Sequence, residues 1–438
     1  MLKKRYDEAK AIYAKLGVDT DGAIRQLKNI PISIHCWQGD DVAGFEGNEL
    51  SGGIAATGDY PGRARNPEEL MADLDKALSL IPGTHRLNIH ASYAIFDGEP
   101  VDRDQLEPKH FAKWVEFAKE RGLGLDFNPT YFGHPLAEMA TLSSNDSKVR
   151  EFWVEHGRRS VKIAEYFANE LGSPTLLNIW IPDGFKDVPA DRTAPRARLK
   201  QSLDEILAVD YDKSKVEVAV ESKVFGIGVE SYTVGSHEFY MNYAAQNNLL
   251  CLLDSGHYHP TENVADKISS MLLFAPKVAL HVTRAVRWDS DHIVRYDDET
   301  KAIAAEIIRH GSEKVLLGLD FFDASVNRVA AWVIGVRNMQ KALLEALLTP
   351  HQQLAQLQER GELTELLMLQ EELKLMPVGD VWNYFLEVSG VPGMEWFSEV
   401  KAYEQNVLLK RETTENLWSK AMKTYEETVV PTLEEKLA

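Results

Sequence analysis

Four apolar runs in the second half of the chain end on, or next to, a residue type that binds metal ions: VEVAVE at Glu221, LLCLLD at Asp254, VALH at His281 and VLLGLD at Asp320. A buried strand has no packing use for a carboxylate or an imidazole unless something offsets its desolvation. A cation at one end of a parallel sheet would offset all four. Three carboxylates and one imidazole form an oxygen and nitrogen set that suits Mn²⁺, Mg²⁺, Co²⁺ or Zn²⁺ and excludes a thiolate site. Singly, each residue has an ordinary explanation, because a strand-end Asp often caps the next helix and a lone buried His is usually just hydrogen-bonded. Four in register are different, since carboxylates brought together without a cation repel one another.

A second ligand set lies just beyond the first. Asp254 is followed by SGHYH, which carries His257 and His259, and His281 by VTRAVRWDSDH, which carries Asp289, Asp291 and His292. Carboxylates at i and i+2 of an extended segment point the same way and can chelate one ion. With His257 they would make a facial, partly open site, and an open coordination position is what separates a catalytic metal from a structural one. A DSD string alone reads more simply as a solvated acidic turn; its place soon after a strand-end His, with Trp288 adjacent, favours the ligand reading. His259 and His292 read as neighbours rather than ligands.

Lys223, two residues past Glu221, should face the same side of its strand. There an ammonium could steady an oxyanion, move a proton between substrate oxygens, or act as counter-ion to the carboxylates. Trp37 and His90 end two earlier runs, and Asn178, Trp180 and Asp183 mark a third. Aromatic residues at such a mouth suit the apolar wall against which a sugar ring or methyl group packs, with core packing the plainer role for Trp37. His90, Trp180 and Lys223 are the candidate substrate-binding residues, His90 with a further role in opening a cyclic sugar.

These side chains need a frame that aims them at one point. Short β-branched or apolar runs occupy 30–37, 85–92, 123–130, 176–183, 216–225, 249–256, 277–284 and 314–321. Stretches of helical period separate them, such as PEELMADLDKALSLI, or the face of Val161, Ala164, Ala168 and Leu171 that stops at Gly172. Eight strands alternating with helices predict a (β/α)8 TIM barrel, and near-continuous apolar runs are what a parallel sheet covered on both faces requires. A doubly wound open sheet is the competitor, but no GxGxxG follows an early strand. In a barrel the C-terminal strand ends share one face, so Glu221, Asp254, His281 and Asp320 should converge there. Residues 1–350 are assigned to the barrel, with a long Gly- and Asp-rich connection at 38–66 of the kind that is usually functional. Residues 351–438 form a helical C-terminal extension whose Leu-rich stripes predict homo-oligomerisation.

The composition narrows the partners. With 48 basic and 67 acidic residues the net charge is −19, which disfavours nucleic acid and acidic membranes. No apolar region follows Lys3, Lys4 and Arg5, so no signal peptide is expected, and no run is long enough to predict a membrane span. Cys36 and Cys251 lie in strand-like stretches and read as buried free thiols in a reducing cytoplasm.

The strings VESKVFGIGVESYTVGS, LLDSGHYHPTENVADKIS, RWDSDHIV, GLDFFDASVNRVAAWVIG and TPHQQLAQLQERGELTELLMLQEELK strongly resemble bacterial L-rhamnose isomerase, and NIHASYAIFDGE and NIWIPDGFKD look like its earlier strands. The resemblance runs over essentially the whole chain. It implies a cytosolic, usually tetrameric aldose–ketose isomerase that converts L-rhamnose to L-rhamnulose with Mn²⁺. It further implies a structural ion on Glu221, Asp254, His281 and Asp320, and a catalytic ion on His257, Asp289 and Asp291. The chemistry expected of such residues is a metal-assisted hydride shift between C1 and C2, with Lys223, His257 and Asp291 as the catalytic group. A cis-enediol route is the mechanistic alternative. A metal-dependent barrel hydrolase, an isomerase acting mainly on another aldose and a non-catalytic sugar-binding protein are the alternative functions.

Overall fold

Each of the eight apolar runs forms a strand, and each strand is shorter than its run. In the computed structural model, which describes residues 2–47, 50, 54–223, 231–284 and 291–411, the strands are β1 (Ile32–His35), β2 (His85–His90), β3 (Gly124–Asn128), β4 (Thr175–Ile179), β5 (Val216–Glu221), β6 (Leu250–Asp254), β7 (Val278–Val282) and β8 (Val315–Leu319). They pair in parallel in chain order, and β1 closes on β8 with Ser33 opposite Gly318 and Ile34 opposite Leu319. Every residue of β1, β4, β6 and β7 is buried, as two covered faces demand. The chain is a (β/α)8 TIM barrel with helices added at its C-terminal side.

The barrel's layering aims the site. Leu176, Ala219, Leu252 and Ala279 belong to a small apolar cluster separate from the main core. Two residues further along the same strands stand Asn178, Glu221, Asp254 and His281, which the strand's period of two turns the same way. Asp254 is also paired directly with His281 in the ladder, so carboxylate and imidazole sit at one height. Beside His281, β8 carries Gly318; a Cβ there would stand 3.0 Å from His281 Cδ2, so a larger residue would press on the imidazole.

The helices follow their capping chemistry. Ser147–Leu171 starts where Asp146 accepts from Lys148 N, buries Val161, Ala164 and Ala168, and stops at Gly172 in the left-handed region with φ 64°. One element was not foreseen: Gly184–Phe185 pairs antiparallel with Tyr232–Thr233, tying together the loops after β4 and β5.

After Pro350 come helices His351–Glu359, Leu363–Leu373, Val378–Val388 and Trp396–Asn406. Val378–Val388 packs on the first helix, Leu2–Ala14, where Tyr6 and Tyr384 stack at 3.9 Å. The last described helix is pinned to the barrel by buried polar groups. Glu404 accepts from Tyr60 Oη at 2.7 Å and Asn327 Nδ2 at 2.8 Å, while Asp73 accepts from Arg411 Nη1 and Tyr403 Oη, both at 2.7 Å. Leu363–Leu373 buries none of its side chains and leaves Leu363, Leu367 and Met368 about three-fifths exposed. Among the described residues no helix is long and apolar enough to cross a membrane. Cys36 and Cys251 are buried free thiols.

Candidate metal centre

Glu221, Asp254, His281 and Asp320 converge as their strand-end positions require, each offering one ligand atom within 4.8 Å of the others. His281 Nδ1 lies 3.2 Å from Asp320 Oδ2, 3.4 Å from Glu221 Oε2 and 4.0 Å from Asp254 Oδ2, yet makes no hydrogen bond. A tetrahedral ion with bonds of about 2.0–2.2 Å holds its ligands roughly 3.3–3.6 Å apart; Asp320 and Glu221 stand near that spacing from His281 and Asp254 somewhat beyond it, so a small divalent cation would need Asp254 to draw in. The electrostatics agree. Burial alone would drive protons off His281, but Glu221 and Asp320 hold its pKa well above the ordinary imidazole value. Glu221 is pushed up by burial and pulled further down by His281, ending well below the usual carboxylate range. Asp320 stays raised, because burial outweighs His281. A positive charge on His281 and a bound cation would thus offset the same carboxylates.

The sequence reading missed His35, which groups with His281 and Asp320 at the edge of the cage. Its Nε2 is 3.4 Å from His281 Nε2, and its Nδ1 is 3.2 Å from His90 Nε2 and 3.5 Å from Asp320 Oδ1. It ends β1 as His281 nearly ends β7, so the same signal, an imidazole closing an apolar run, was present in ISIH.

Beside the cage lies a cavity. Trp37, Ile54, Phe132, Trp180 and Phe322 wall it, and Glu221, Lys223, His257, Asp291 and Asp320 reach it together with His90. His257 Nδ1 stands 3.0 Å from Glu221 Oε1 and 2.9 Å from the Ser222 carbonyl. Asp291 takes a left-handed backbone, φ 44°, and its carbonyl accepts from Phe322 N at 3.2 Å. Strain of this kind in a non-glycine residue persists only where its surroundings enforce it, and it gathers at functional sites. Asp289 and Trp288 lie outside the described residues. His259 is exposed and bonded to Thr261, and His292 pairs with Arg284, so both stand as neighbours.

Lys223 is buried with its ammonium 5.0 Å above the Trp180 ring. His90 stacks on Trp37 at 4.0 Å, and burial pushes its pKa down to about 3, so it is neutral. Asn178 donates to Glu221 Oε2 at 2.5 Å. Asp183, at the end of the run that forms β4, is not among the described residues that line the cavity. It accepts from the backbone and hydroxyl of both Thr141 and Ser143, bracing two loops away from the cavity. The connection after β1 is braced as well. Asp41 and Val42 have φ of 60° and 63°, and Arg328 clamps Asp41 with two bonds of 2.6 Å. Burial lifts the neighbouring Asp40 carboxyl to about 7, although Tyr93 Oη and Gly44 N donate to it.

A carboxylate cage near an aromatic-walled cavity holding an ammonium and a neutral imidazole can polarise and reprotonate the oxygens of a small polyol. The family model described as L-rhamnose isomerase (RhaA) matches residues 1–411. The L-rhamnose isomerases of Listeria monocytogenes serotype 4b (strain F2365) and Salmonella newport (strain SL254) are each 55% identical over 415 residues, 94% of this chain and 99% of theirs. A solved L-ribulose 3-epimerase aligns over 72% of this chain and 95% of its own, with 13% identity and a TM-score of 0.46.

Proposed function

Because this chain belongs to the L-rhamnose isomerase family, and is therefore an aldose–ketose isomerase, we propose that it interconverts L-rhamnose and L-rhamnulose by a metal-assisted 1,2-hydride shift. The observation that carries this reading is the shared cavity, where a buried ammonium, imidazoles and carboxylates meet an aromatic wall at the edge of the four-ligand cage. Glu221, Asp254, His281 and Asp320 would hold the enclosed ion, and His257, Asp289 and Asp291 the ion beside the sugar, with Mn²⁺ in both and Co²⁺ or Zn²⁺ as substitutes. A divalent cation supplies Lewis-acid polarisation of the sugar oxygens O1 and O2.

In the open-chain aldose the hydrogen on C2 moves to C1 with its electron pair, the O2–H proton leaves, C2 becomes a carbonyl and O1 gains a proton. Lys223, which lines the cavity, would carry that proton from O2 to O1. Trp37, Phe132, Trp180 and Phe322 keep water from the reacting carbons, which favours direct transfer over exchange through a base. The deoxy end of the sugar suits the same apolar wall. His90 Nδ1 is buried without a hydrogen bond, and a sugar hydroxyl would complete it during ring opening. Reaction in D₂O tests the mechanism: product with little deuterium at C1 is expected, and extensive deuterium there overturns the hydride shift. Full turnover of L-rhamnose by chelated protein would overturn the metal.

The same reading takes the enzyme to be a cytoplasmic homotetramer with the extension, 351–438, as an oligomerising piece. The exposed Leu363, Leu367 and Met368 face supports it, and light scattering of a Leu367→Asp, Met368→Asp double variant tests it; an unchanged mass removes that face from the assembly.

A further inference from the structure

Ser222, His237 and His257 close a ring of three hydrogen bonds behind the sugar cavity. The Ser222 hydroxyl bonds His237 Nδ1, His237 Nε2 lies 3.1 Å from the His257 carbonyl, and His257 Nδ1 lies 2.9 Å from the Ser222 carbonyl. Two of the three acceptors are backbone carbonyls, which cannot donate, and that assigns every hydrogen in the ring. His237 must carry its hydrogen on Nε2, so in the neutral ring Nδ1 accepts from the serine hydroxyl. His257 must carry its hydrogen on Nδ1, which leaves the lone pair on Nε2. Glu221 Oε1, 3.0 Å from the same His257 Nδ1, reads that hydrogen a second time.

His237 is itself held in place. It opens the helix His237–Asn247 behind the N-cap Ser236, and Tyr258 stacks on its face at 4.1 Å and 10°. The ring therefore ties three segments together: the end of β5, the start of that helix and the turn after β6. It does so at the one residue of that turn which lines the cavity, His257.

We infer that His237 is a positioning residue, one that never touches the sugar but holds the backbone of His257 and the Ser222 segment whose carbonyl takes the His257 Nδ1 hydrogen, so that Nε2 is presented to the divalent cation beside the substrate. This rests on the reading of His257 as a ligand of that ion. Partners of this kind typically contribute 10- to 100-fold in metal affinity.

The test uses the full-length protein, stripped of metal and titrated calorimetrically with Mn²⁺. In the wild type two classes of site are expected. His237→Phe keeps an aromatic face for Tyr258 and loses both hydrogen bonds. It should weaken one class by about 10- to 100-fold, leave the other unchanged, and recover most of its turnover at saturating Mn²⁺. His237→Gln, whose amide can still donate to the His257 carbonyl, should stay within about threefold of wild type. Ser222→Ala breaks the ring at a different point with little change in volume, and should weaken the same class in between. Wild-type Mn²⁺ binding in His237→Phe, or in Ser222→Ala should the former not fold, overturns the inference. So does equal weakening of both classes, which marks a merely structural role. His257→Ala separates the two layers: if it retains both classes, His257 is no ligand and the underlying reading fails; if it loses one while His237→Phe loses none, only the positioning role fails.

Discussion

Glu221→Gln is the most informative single change, because Glu221 faces both candidate ions. Its Oε2 accepts from Asn178 Nδ2 at 2.5 Å and lies 3.4 Å from His281 Nδ1, while its Oε1 lies 3.0 Å from His257 Nδ1. Asn178 and His257 both present N–H groups, so a glutamine can offer its oxygen to one and must turn its NH₂ on the other. A buried donor left without an acceptor costs about 1–3 kcal/mol. The cage also loses one of its three carboxylates. An ion held at about 100 times its Kd stabilises the fold by roughly 2.7 kcal/mol, and a hundredfold loss of affinity cuts this to about 0.4. Together the two effects amount to about 3–5 kcal/mol. At about 2.1 cal/mol/K per residue, the 438 residues give an unfolding entropy near 0.9 kcal/mol/K, so Tm should fall by about 3–6 °C. Chelator should lower the melting temperature of the wild type and barely move the variant. Scanning calorimetry with and without chelator, alongside metal analysis, reads both. Full metal content with an unchanged, chelator-sensitive melt would remove Glu221 from the ligands of the cage.

Asp291→Asn should lower kcat by more than about 100-fold with Tm little altered, since Asp291 borders the cavity rather than the core; steady-state kinetics at saturating Mn²⁺ would show retained turnover if Asp291 is not needed. Lys223→Met should cost about 10²–10⁴-fold in kcat and leave metal content intact, whereas loss of metal with little loss of rate would mark it as a counter-ion. Asp40 supplies a pH test. Its folded pKa, about 7, lies above the unfolded value of about 3.9, so the folded state holds the proton more tightly. Wild-type stability should decline between about pH 4 and 7, by at most about 1.4 kcal/mol per pH unit, and Asp40→Asn should remove that decline; parallel melting curves for the two proteins from pH 5 to 8 would contradict it.

The barrel and its cage were legible because their signals are local. A carboxylate or imidazole closing an apolar run is conspicuous, and strands from β5 to β8 repeat it. His35 carried the same signal and went unread because it stands in the first half of the chain, far from the other four. Asp183 is a different case: it follows β4 as a site residue could, but its carboxylate is engaged by Thr141 and Ser143, whose approach no local pattern announces. His237 is harder still. A histidine at the first turn of a helix looks like surface, and only the tertiary fold brings it to the carbonyl of residue 257. Side chains that act on backbone groups leave no spacing to find.

The bond between Asp73 and Arg411 also bears on how the protein is made. The two residues are 338 positions apart, and at about 5–20 residues per second of synthesis the guanidinium follows its carboxylate by roughly 17–70 s. During that interval a carboxyl buried to 1% exposure in the finished enzyme has no cation to meet. Removing one partner of such a pair costs about 3–5 kcal/mol. A chain ending before Arg411 would hold all eight strands and still lack the guanidinium that this buried carboxyl is built to meet.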